Sequence, residues 1–498
     1  LSLRMMAPSR PLFIFLALWA VTQCMAFTGA FHSLLPHRSM LALSPLVRPR
    51  RHVARLGGLS MLRNEYDLVV VGAGPTGLTA ALSAASAGKT AVIIDATPKK
   101  QVQFSGPTGL YSKALRDTAK KIDVGVLRNM GVRDTAVWRQ VQEMTSEVLK
   151  ESGLSNLAAI QAGNIPHLRG TARLTGEKSE GGGHAVDVTF LETDRSVQVY
   201  GQNVLIATGS SPWRVDTVPY DDERVFDSDT IKTLGFLPKT VAIVGAGIIA
   251  IEYAKIFSRL DCKVTLIVRG KSLATALTRI GIDPDIALEL QRDLCLNKVR
   301  IIFDAEIDEV QAPPKGSDTN RPLSISLKQP GTGAKKPNLT VKSHVLMTAT
   351  GRQANTRGLD LEAAGVELDK GGNVAVDGLL QTTLPNIYAS GDVLGPPSLA
   401  STGIEQALAV SRTMFGMETE GTFGWREPDT NYDPRSLMSD PLKYPIGIWT
   451  LPEMAFIGST KASALENGLG GGGGSGRGSC LLLKHHQGEG SGHRLWVS

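Results

Sequence analysis

The hydrophobic pattern of the chain contains one structural unit twice, a buried strand followed by a glycine-rich turn and a helix. Residues 66–71 form an apolar, β-branched run, which is typical of a parallel strand buried on both faces. A glycine cluster, an Ala- and Leu-rich helical stretch and a second strand over 90–94 follow it. The unit recurs as a strand over 240–244, a helix over 251–260 and a strand over 264–268. This repetition predicts an α/β fold with two Rossmann-like three-layer domains.

The first glycine cluster has the Gly-x-Gly-x-x-Gly spacing of a dinucleotide-binding turn. Gly72 permits the tight turn, Gly74 lets the backbone approach a pyrophosphate, and Gly77 lets the helix pack close to the sheet. The start of the helix then offers free N–H groups to phosphate. Asp95 ends the second strand, about 20 residues on, where an acid accepts hydrogen bonds from a ribose. The predicted binding residues are Gly72, Gly74, Pro75, Thr76, Gly77 and Asp95.

The second cluster reads Gly-x-Gly-x-x-Ala and predicts a second nucleotide site at Gly245, Gly247, Ile248, Ile249 and Ala250. The strand that usually ends in an acid here ends in Val268, followed by Arg269. Without the acid a 2′-phosphate is not repelled, and Arg269 can hold one by charge-assisted hydrogen bonds. The alternative is that Arg269 is only a solvated surface residue. The pattern favours NADP(H) over NAD(H) at this site.

Three further strands run into short turns, over residues 204–212, 345–352 and 386–392. Together with the two glycine clusters, and in this order, they resemble the FAD-dependent pyridine nucleotide–disulfide oxidoreductases. The resemblance covers residues 66–468. It implies that FAD binds at the first cluster and a nicotinamide nucleotide, NAD or NADP, at the second. It also implies that the NAD(P) domain is inserted into the FAD domain.

The resemblance assigns further residues. It implies cofactor contacts at Thr208, Gly209, Gly351, Gly391, Asp392 and Ala400, with the flavin ribitol at the Gly391 turn. It also implies that Lys113 and Glu252 form an ion pair beside the flavin N5 and the nicotinamide. The residue pattern alone predicts that these two are ordinary charges on helix surfaces.

The chain departs from the family at its redox centre. Phe104 and Gly109 occupy the positions where disulfide-reducing members carry a cysteine pair. Of the four cysteines of the chain, Cys262 and Cys295 are predicted to be small buried apolar side chains, and no spacing fits a metal site. Thiol–disulfide exchange needs a thiolate, which neither Phe nor Gly supplies.

The missing pair favours the transhydrogenase branch of the family. In that branch FAD is reduced by NADPH and reoxidised by NAD⁺ in a ping-pong cycle without a redox disulfide. One alternative is an NAD(P)H oxidase or diaphorase that passes electrons to quinone or oxygen. Another is a flavoprotein similar to dihydrolipoamide dehydrogenase that is inactive because its C-terminus is incomplete.

The basic charge is concentrated at the N-terminus. Residues 1–64 contain eight arginines, no lysine and no acid. Of the 53 basic and 47 acidic residues, the rest of the chain therefore keeps 45 and 47, a net charge of −2. A nearly neutral body argues against nucleic acid as a partner.

The leader has the composition of a targeting segment. An apolar run over 12–21 and the small-x-small sequence Cys24-Met25-Ala26 predict a signal peptide over 1–26. The run is too short for a comfortable membrane span, so no membrane contact is expected of the mature form. Residues 27–64 have transit-peptide composition. Together they predict import into a plastid, with a mitochondrial presequence or secretion as the alternatives.

These patterns divide the chain into a signal peptide (1–26), a transit-like segment (27–64), a FAD domain (65–235 and 356–425), an NAD(P) domain (236–355), the start of an interface domain (445–467) and a glycine-rich tail (468–498). Polar insertions at 176–183 and 313–337 predict exposed hairpin loops, and 427–444 a polar connection. The tail is either a natural flexible terminus or the product of a frame slip or retained intron, which we favour. The family implies a homodimer, which a shortened interface domain puts in doubt.

Overall fold

A computed structural model of the chain describes residues 63–97, 104–329, 339–416, 446–450, 453–458 and 460. It also gives the backbone of 481–482 and 496–497. Residues 1–62 of the predicted leader, the connection over 427–444 and most of the tail lie outside these residues.

The strands are β1 (Glu65–Val71), β2 (Ala91–Asp95), β3 (His167–Lys178), β4 (His184–Phe190), β5 (Ser196–Ile206), β6 (Ser210–Pro212), β7 (Val225–Asp227), β8 (Thr240–Val244), β9 (Lys263–Ile267), β10 (Arg300–Ile302), β11 (Glu306–Gln311), β12 (Leu323–Lys328), β13 (Leu339–Ser343), β14 (Val345–Thr348), β15 (Arg352–Ala354), β16 (Ile387–Ala389), β17 (Ile446–Ile448), β18 (Met454–Phe456), β19 (Leu481–Leu482) and β20 (Trp496–Val497).

The α-helices are α1 (Pro75–Ser86), α2 (Leu110–Lys121), α3 (Val124–Asn129), α4 (Asp134–Ala162), α5 (Ile248–Arg259), α6 (Leu273–Thr278), α7 (Pro284–Leu296), α8 (Leu361–Ala364) and α9 (Ala400–Phe415). Two 3₁₀ turns span Thr230–Thr233 and Asp392–Leu394.

The first sheet has β1 at its centre, parallel to β2 on one side and to β5 on the other, and β16 lies parallel to β5. The long strands β3 and β5 also pair antiparallel with β4 at their outer ends. Four of the seven residues of β1 are completely or almost completely buried in succession at its carboxyl end. Burial on both faces explains the unbroken apolar run in the sequence.

The second sheet is parallel throughout, in the order β10-β9-β8-β14-β7. Helix α5 follows β8 as α1 follows β1, so each sheet contains one predicted βαβ unit. The predicted fold class, two Rossmann-like domains, is confirmed. Strand boundaries differ from the predicted ones by a residue, as for β2 and β9.

The prediction of a loop over 313–337 is wrong in part, because it contains β12, the central strand of an antiparallel three-stranded sheet with β11 and β13. Leu323, Ile325 and Leu327 are fully buried, alternating with polar residues. The predicted hairpin at 176–183 is shorter than expected, since β3 continues to Lys178.

Two helices of the first domain share a hydrophobic core with the second sheet, whereas the strands of the first sheet pack in clusters of their own. Side chains of α2 and α4 pack in the same cluster as those of α5 and β8, and the β17–β18 hairpin completes it. The buried Trp138 of α4 donates from Nε1 to the Leu234 carbonyl at 2.9 Å. This shared core holds α2 against α5, which carry Lys113 and Glu252 respectively.

Of the two cysteines that the structure describes, Cys262 is buried but Cys295 is exposed. The prediction of a buried Cys295 is therefore wrong, because it lies on the outer face of the surface helix α7. Within the described ranges no helix has the length and apolar character needed to cross a membrane. The same ranges contain no group of three or more side chains suited to a metal ion.

Candidate active site

The first glycine turn connects β1 to α1, and each glycine in it occupies a distinct environment. Gly72 has a φ of 113°, and a Cβ there would lie 2.3 Å from the Ala207 carbonyl oxygen. A Cβ on Gly77 would lie 2.0 Å from the Gly72 oxygen, so only glycine permits this helix–strand contact. A Cβ on Gly74 would meet no atom within 4 Å. The backbone at Gly74 therefore borders open space at the start of a helix.

The beginning of α1 is suited to a phosphate group. Gly74 caps the helix without a side-chain hydrogen bond, Pro75 occupies the first turn, and there is no acid in that turn. Unpaired N–H groups and the positive end of the helix dipole favour an anion there. Asp95 ends the adjacent strand β2, and its carboxylate accepts from Thr97 N at 3.2 Å. This arrangement fits the dinucleotide predicted for the first turn.

The Gly391 turn packs directly on the first glycine turn. A Cβ on Gly391, whose φ is 79°, would lie 2.5 Å from Thr76 Oγ1, and one on Gly403 would lie 2.3 Å from the same atom. Ala400 is the first residue of α9, which has no side-chain cap. A cavity of about 200 Å³ lies between Gly391 and Gly403, and the buried Thr402 Oγ1 beside it has no hydrogen-bond partner. A free buried hydroxyl and uncapped helix termini fit the polar groups of FAD.

The second glycine turn repeats this geometry between β8 and α5. Gly245 has a φ of 140°, and a Cβ on it would lie 2.2 Å from the Ala349 oxygen. Gly247 caps α5 without a side-chain bond, and a Cβ on it would meet no atom within 4 Å. Ile248 and Ile249 line a large cavity, whereas Ala250 is fully buried behind them.

This cavity has a volume of about 980 Å³, large enough for a dinucleotide. It extends from the second glycine turn past Arg269 and Gly351 to Lys113 and Glu252. Gly351 has a φ of 130° and borders open space, which lets the backbone approach a ligand. The structure thus places the residues predicted for the nicotinamide nucleotide, except the buried Ala250, around a single cavity.

Glu252 and Lys113 lie together at one part of this cavity. Glu252 is only 6% exposed, so the interpretation of it as a surface charge is wrong. Its Oε1 accepts from the Trp449 backbone N–H at 2.9 Å. Burial raises the pKa of Glu252, and the positive charges of Lys113 and Arg116 oppose that effect. Loss of solvent around Glu252 and attraction by two cations thus shift the pKa of this carboxyl group in opposite directions.

Trp449 is a site residue that the motif analysis did not single out. Its indole ring lies 5.3 Å from Lys113 Nζ and 5.2 Å from Arg116 Cζ, both in cation–π range. Arg116 is itself buried and pairs with Asp117 at 2.7 Å and Glu453 at 3.2 Å. Trp449 lies within the stretch that resembles the family, residues 66–468, but that resemblance gave no role for the ring.

A polar chain links the two domains beside the cavity. Ser210 Oγ donates to Asp392 Oδ2 at 2.8 Å, and Arg352 Nε donates to Ser210 Oγ at 2.8 Å. Arg352 also forms an ion pair with Asp229 at 2.8 Å. Burial raises the pKa of Asp392, whereas the Ser210 bond and the Arg352 charge lower it. Sequence analysis found Asp392 but missed Asp229, because its partner is remote in sequence.

Thr208 and Gly209 lie where the FAD sheet meets the segment after β15. Thr208 Oγ1 donates to the Asn355 carbonyl at 2.8 Å, and Asn355 Nδ2 donates to the Thr208 carbonyl at 2.9 Å. Gly209 has a φ of 72° and faces open space. These bonds join the end of the FAD sheet to the segment after β15, and they place Ser210 beside Asp392.

The two positions of the missing cysteines have different surroundings in the structure. Phe104 is buried, with its ring 4.6 Å from that of His167. Gly109 lines the large cavity, and a Cβ on it would lie 3.3 Å from Lys113 Nζ. Neither described cysteine lines this cavity.

Two nucleotide turns, a large cavity at the second of them and a buried Glu252 with Lys113 beside it are the features of a dinucleotide-dependent oxidoreductase of the two-Rossmann type. The family described as "Pyridine nucleotide-disulphide oxidoreductase" matches residues 66–407. The chain belongs to this family. It is an FAD-dependent oxidoreductase that uses nicotinamide nucleotides.

The chain is similar to the soluble pyridine nucleotide transhydrogenase of Azotobacter vinelandii, at 32% identity over 80% of this chain and 77% of that one. The enzyme of the same name from Mycobacterium bovis (strain BCG / Pasteur 1173P2) is 29% identical over 81% and 78%. Among solved structures, LpdA from Mycobacterium tuberculosis has a TM-score of 0.65 at 21% identity, covering 81% of this chain and 80% of its own. The flavoprotein disulfide reductase RclA from Escherichia coli, as a Cu(II) complex, has 0.63 at 22%, over 82% and 80%.

Proposed function

We propose that the protein transfers hydride between NADPH and NAD⁺ through bound FAD, as a pyridine nucleotide transhydrogenase. The observation that carries this proposal is the cavity itself. It joins the second glycine turn to Lys113 and Glu252, and Gly109 stands where disulfide-reducing members have a cysteine. The name shared by relatives at about 30% identity supports the same activity.

When bound, FAD supplies the hydride acceptor and donor chemistry. The residues of the chain supply position and charge. The turn at Gly245–Ala250 binds the pyrophosphate of the nucleotide, and the buried walls around Glu252 exclude water. The Lys113 ammonium stabilises negative charge that develops at this end of the cavity. Glu252, fixed by the Trp449 N–H, orients Lys113 and the nicotinamide.

The two nucleotides are proposed to use the cavity in turn, which is a ping-pong order. The described residues offer one glycine turn, Gly245–Ala250, that opens on the large cavity, whereas the first turn fits FAD. Product NADP⁺ must therefore leave before NAD⁺ enters. No thiol is needed in this cycle.

The test uses the purified full chain with NADPH and alternative acceptors. A nicotinamide analogue such as thio-NAD⁺ should be reduced faster than a quinone, oxygen, lipoamide or glutathione disulfide. Double-reciprocal plots at several fixed NADPH concentrations should be parallel. A quinone reduced as fast as the analogue, or faster, would contradict the proposal and indicate a diaphorase.

We further propose that the acid-free leader directs the protein to a plastid. Fluorescent fusions of residues 1–64 and 27–64 in an alga with secondary plastids would test it. The longer fusion should reach the plastid and the shorter one should not, because it lacks the apolar run. Mitochondrial fluorescence from both fusions would indicate a single presequence instead.

A further inference from the structure

An oppositely charged pair occupies the part of the large cavity next to the second glycine turn. Arg269 follows β9 and Glu306 begins β11, and both line the cavity. Arg269 Nε lies 3.9 Å from Glu306 Oε1. The sequence pattern predicted the arginine here but not the carboxylate.

Backbone hydrogen bonds bring the two residues together. Asp304 N donates to the Gly270 carbonyl at 3.2 Å, and Ala305 N donates to the Val268 carbonyl at 3.1 Å. These bonds join the segment before Glu306 to the segment that carries Arg269. The positions of both Cα atoms are therefore determined by the fold, while the side chain of Arg269 remains largely exposed and that of Glu306 is partly buried.

The surroundings of Glu306 are cationic. Lys328 lies directly opposite Glu306 in the β11–β12 register, and Lys328 and Arg279 line the same cavity. Arg269 is 76% exposed and Glu306 35% exposed on their side chains. An ion pair at this separation, with one side chain largely exposed, is weak, so a ligand can open it at little cost.

We propose that Glu306 sets the selectivity between the two nucleotides at this site. Its carboxylate accepts a hydrogen bond from the ribose 2′-hydroxyl of NAD(H). With NADP(H), Arg269 turns from Glu306 to the 2′-phosphate, and Lys328 screens the repulsion between that phosphate and the carboxylate. The inference rests on the proposed function, because only a transhydrogenase needs one site to accept both nucleotides in each cycle.

The charges explain why both nucleotides are tolerated. A 2′-phosphate brings a charge of about −1.5 to −2 near neutral pH, which an isolated carboxylate would repel. A cluster of cations without a carboxylate would bind NADP(H) tightly and leave the 2′-hydroxyl of NAD(H) without an acceptor. Because the Arg269–Glu306 pair can open, Glu306 can accept from the 2′-hydroxyl of NAD(H), and Arg269 can bind the 2′-phosphate of NADP(H).

The test measures binding of 2′,5′-ADP and 5′-AMP to the full-length holoenzyme by calorimetry. These probes differ at the 2′ position and carry no nicotinamide. In Glu306→Gln, 2′,5′-ADP should bind about fivefold to tenfold tighter and 5′-AMP somewhat weaker. Arg269→Gln should weaken 2′,5′-ADP by a similar factor and leave 5′-AMP unchanged. Glu309→Gln, on the same strand but outside the cavity, is the matched control.

An unchanged ratio of the two affinities in Glu306→Gln overturns the inference, as does an equal change in Glu309→Gln. The two proposals fail separately. A parent enzyme that binds both probes with the expected response to Glu306→Gln, yet moves no hydride from NADPH to thio-NAD⁺, would contradict the proposed function and support the assignment of Glu306.

Discussion

At the scale of single residues, Glu252 is a carboxylate inside a core with cations on one side. Burial raises its pKa above the ordinary value near 4.5, so the folded state holds its proton more firmly than the unfolded chain. The stability that this proton contributes is complete below about pH 4.5. It is lost as the pH rises through the pKa of the folded state, because the unfolded chain then binds fewer protons than the folded one.

Glu252→Gln keeps an acceptor for the Trp449 N–H but cannot ionise. We expect its thermal unfolding midpoint to exceed that of the parent at pH 8 and the difference to vanish towards pH 4, at about 1.4 kcal/mol for each pKa unit involved. Hydride transfer should nevertheless slow about tenfold or more. A variant less stable than the parent at pH 8, with the gap closing in acid, would show that the ionised carboxylate stabilises the fold.

Lys113 provides a positive charge to the same part of the cavity. Lys113→Met keeps the length and the contact with the Trp449 ring but removes the charge. We expect the rate of flavin reduction by NADPH to fall about a hundredfold, in the range found when one electrostatic donor is removed. Stopped-flow absorbance measures that rate. Lys121→Met, at the exposed end of the same helix, should react like the parent; equal rates for both variants would contradict the role of Lys113.

At the scale of elements, the two strand–turn–helix units make a matched pair. Gly74 and Gly247 have ordinary negative φ angles, −68° and −83°, so alanine is permitted by the backbone at both. Gly74→Ala should fold normally and lose bound FAD. Gly247→Ala should keep FAD and raise the KM for NADPH about tenfold, because its new methyl group would face the nucleotide cavity. The ratio of flavin to protein and steady-state kinetics measure the two effects.

Gly77→Ala is the control for packing. Its Cβ would lie 2.0 Å from a backbone oxygen, so α1 must shift, at a cost of about 3 kcal/mol or more. Gly77→Ala should therefore lower the unfolding temperature, whereas Gly74→Ala should not. If Gly74→Ala retained FAD at the parent ratio, the first turn would not be the pyrophosphate site.

These elements were predictable because local patterns encode them. The run of residues 66–71 and the spacing of the glycines depend on neighbours within a few positions. Strand β12 was missed because its three buried residues, Leu323, Ile325 and Leu327, alternate with polar ones inside a segment rich in turn formers. The alternation indicates a strand only when β12 is paired with β11 and β13, the strands before and after it in the sequence.

At the scale of the whole molecule, the active site is a product of the contact between two domains. Lys113 and Glu252 come from helices of different domains that share one core, and Trp449 reaches them from a third segment. Glu306 and Asp229 likewise form ion pairs with residues remote in sequence, Arg269 and Arg352 respectively. The sequence patterns identified Lys113, Glu252 and Arg269, but they assigned no role to Glu306, Asp229 or Arg352. Those roles depend on the tertiary arrangement, which a single sequence does not encode locally.

The two described thiols, Cys262 and Cys295, do not line the cavity that contains Lys113 and Glu252. Cys262 is buried and its pKa is raised by burial, so it is unreactive, and Cys295 is exposed on α7, outside the cavity.

Treatment with N-ethylmaleimide after reduction by NADPH should therefore leave transhydrogenation within about twofold of the untreated rate, because no thiolate forms at Phe104 or Gly109. A disulfide reductase treated in parallel should be inactivated, since NADPH exposes its thiolate to the reagent. Cys295→Ser removes the exposed described thiol and should behave like the parent. If the reagent inactivated both the parent and Cys295→Ser, and did so only after reduction by NADPH, electrons would have to pass through a cysteine.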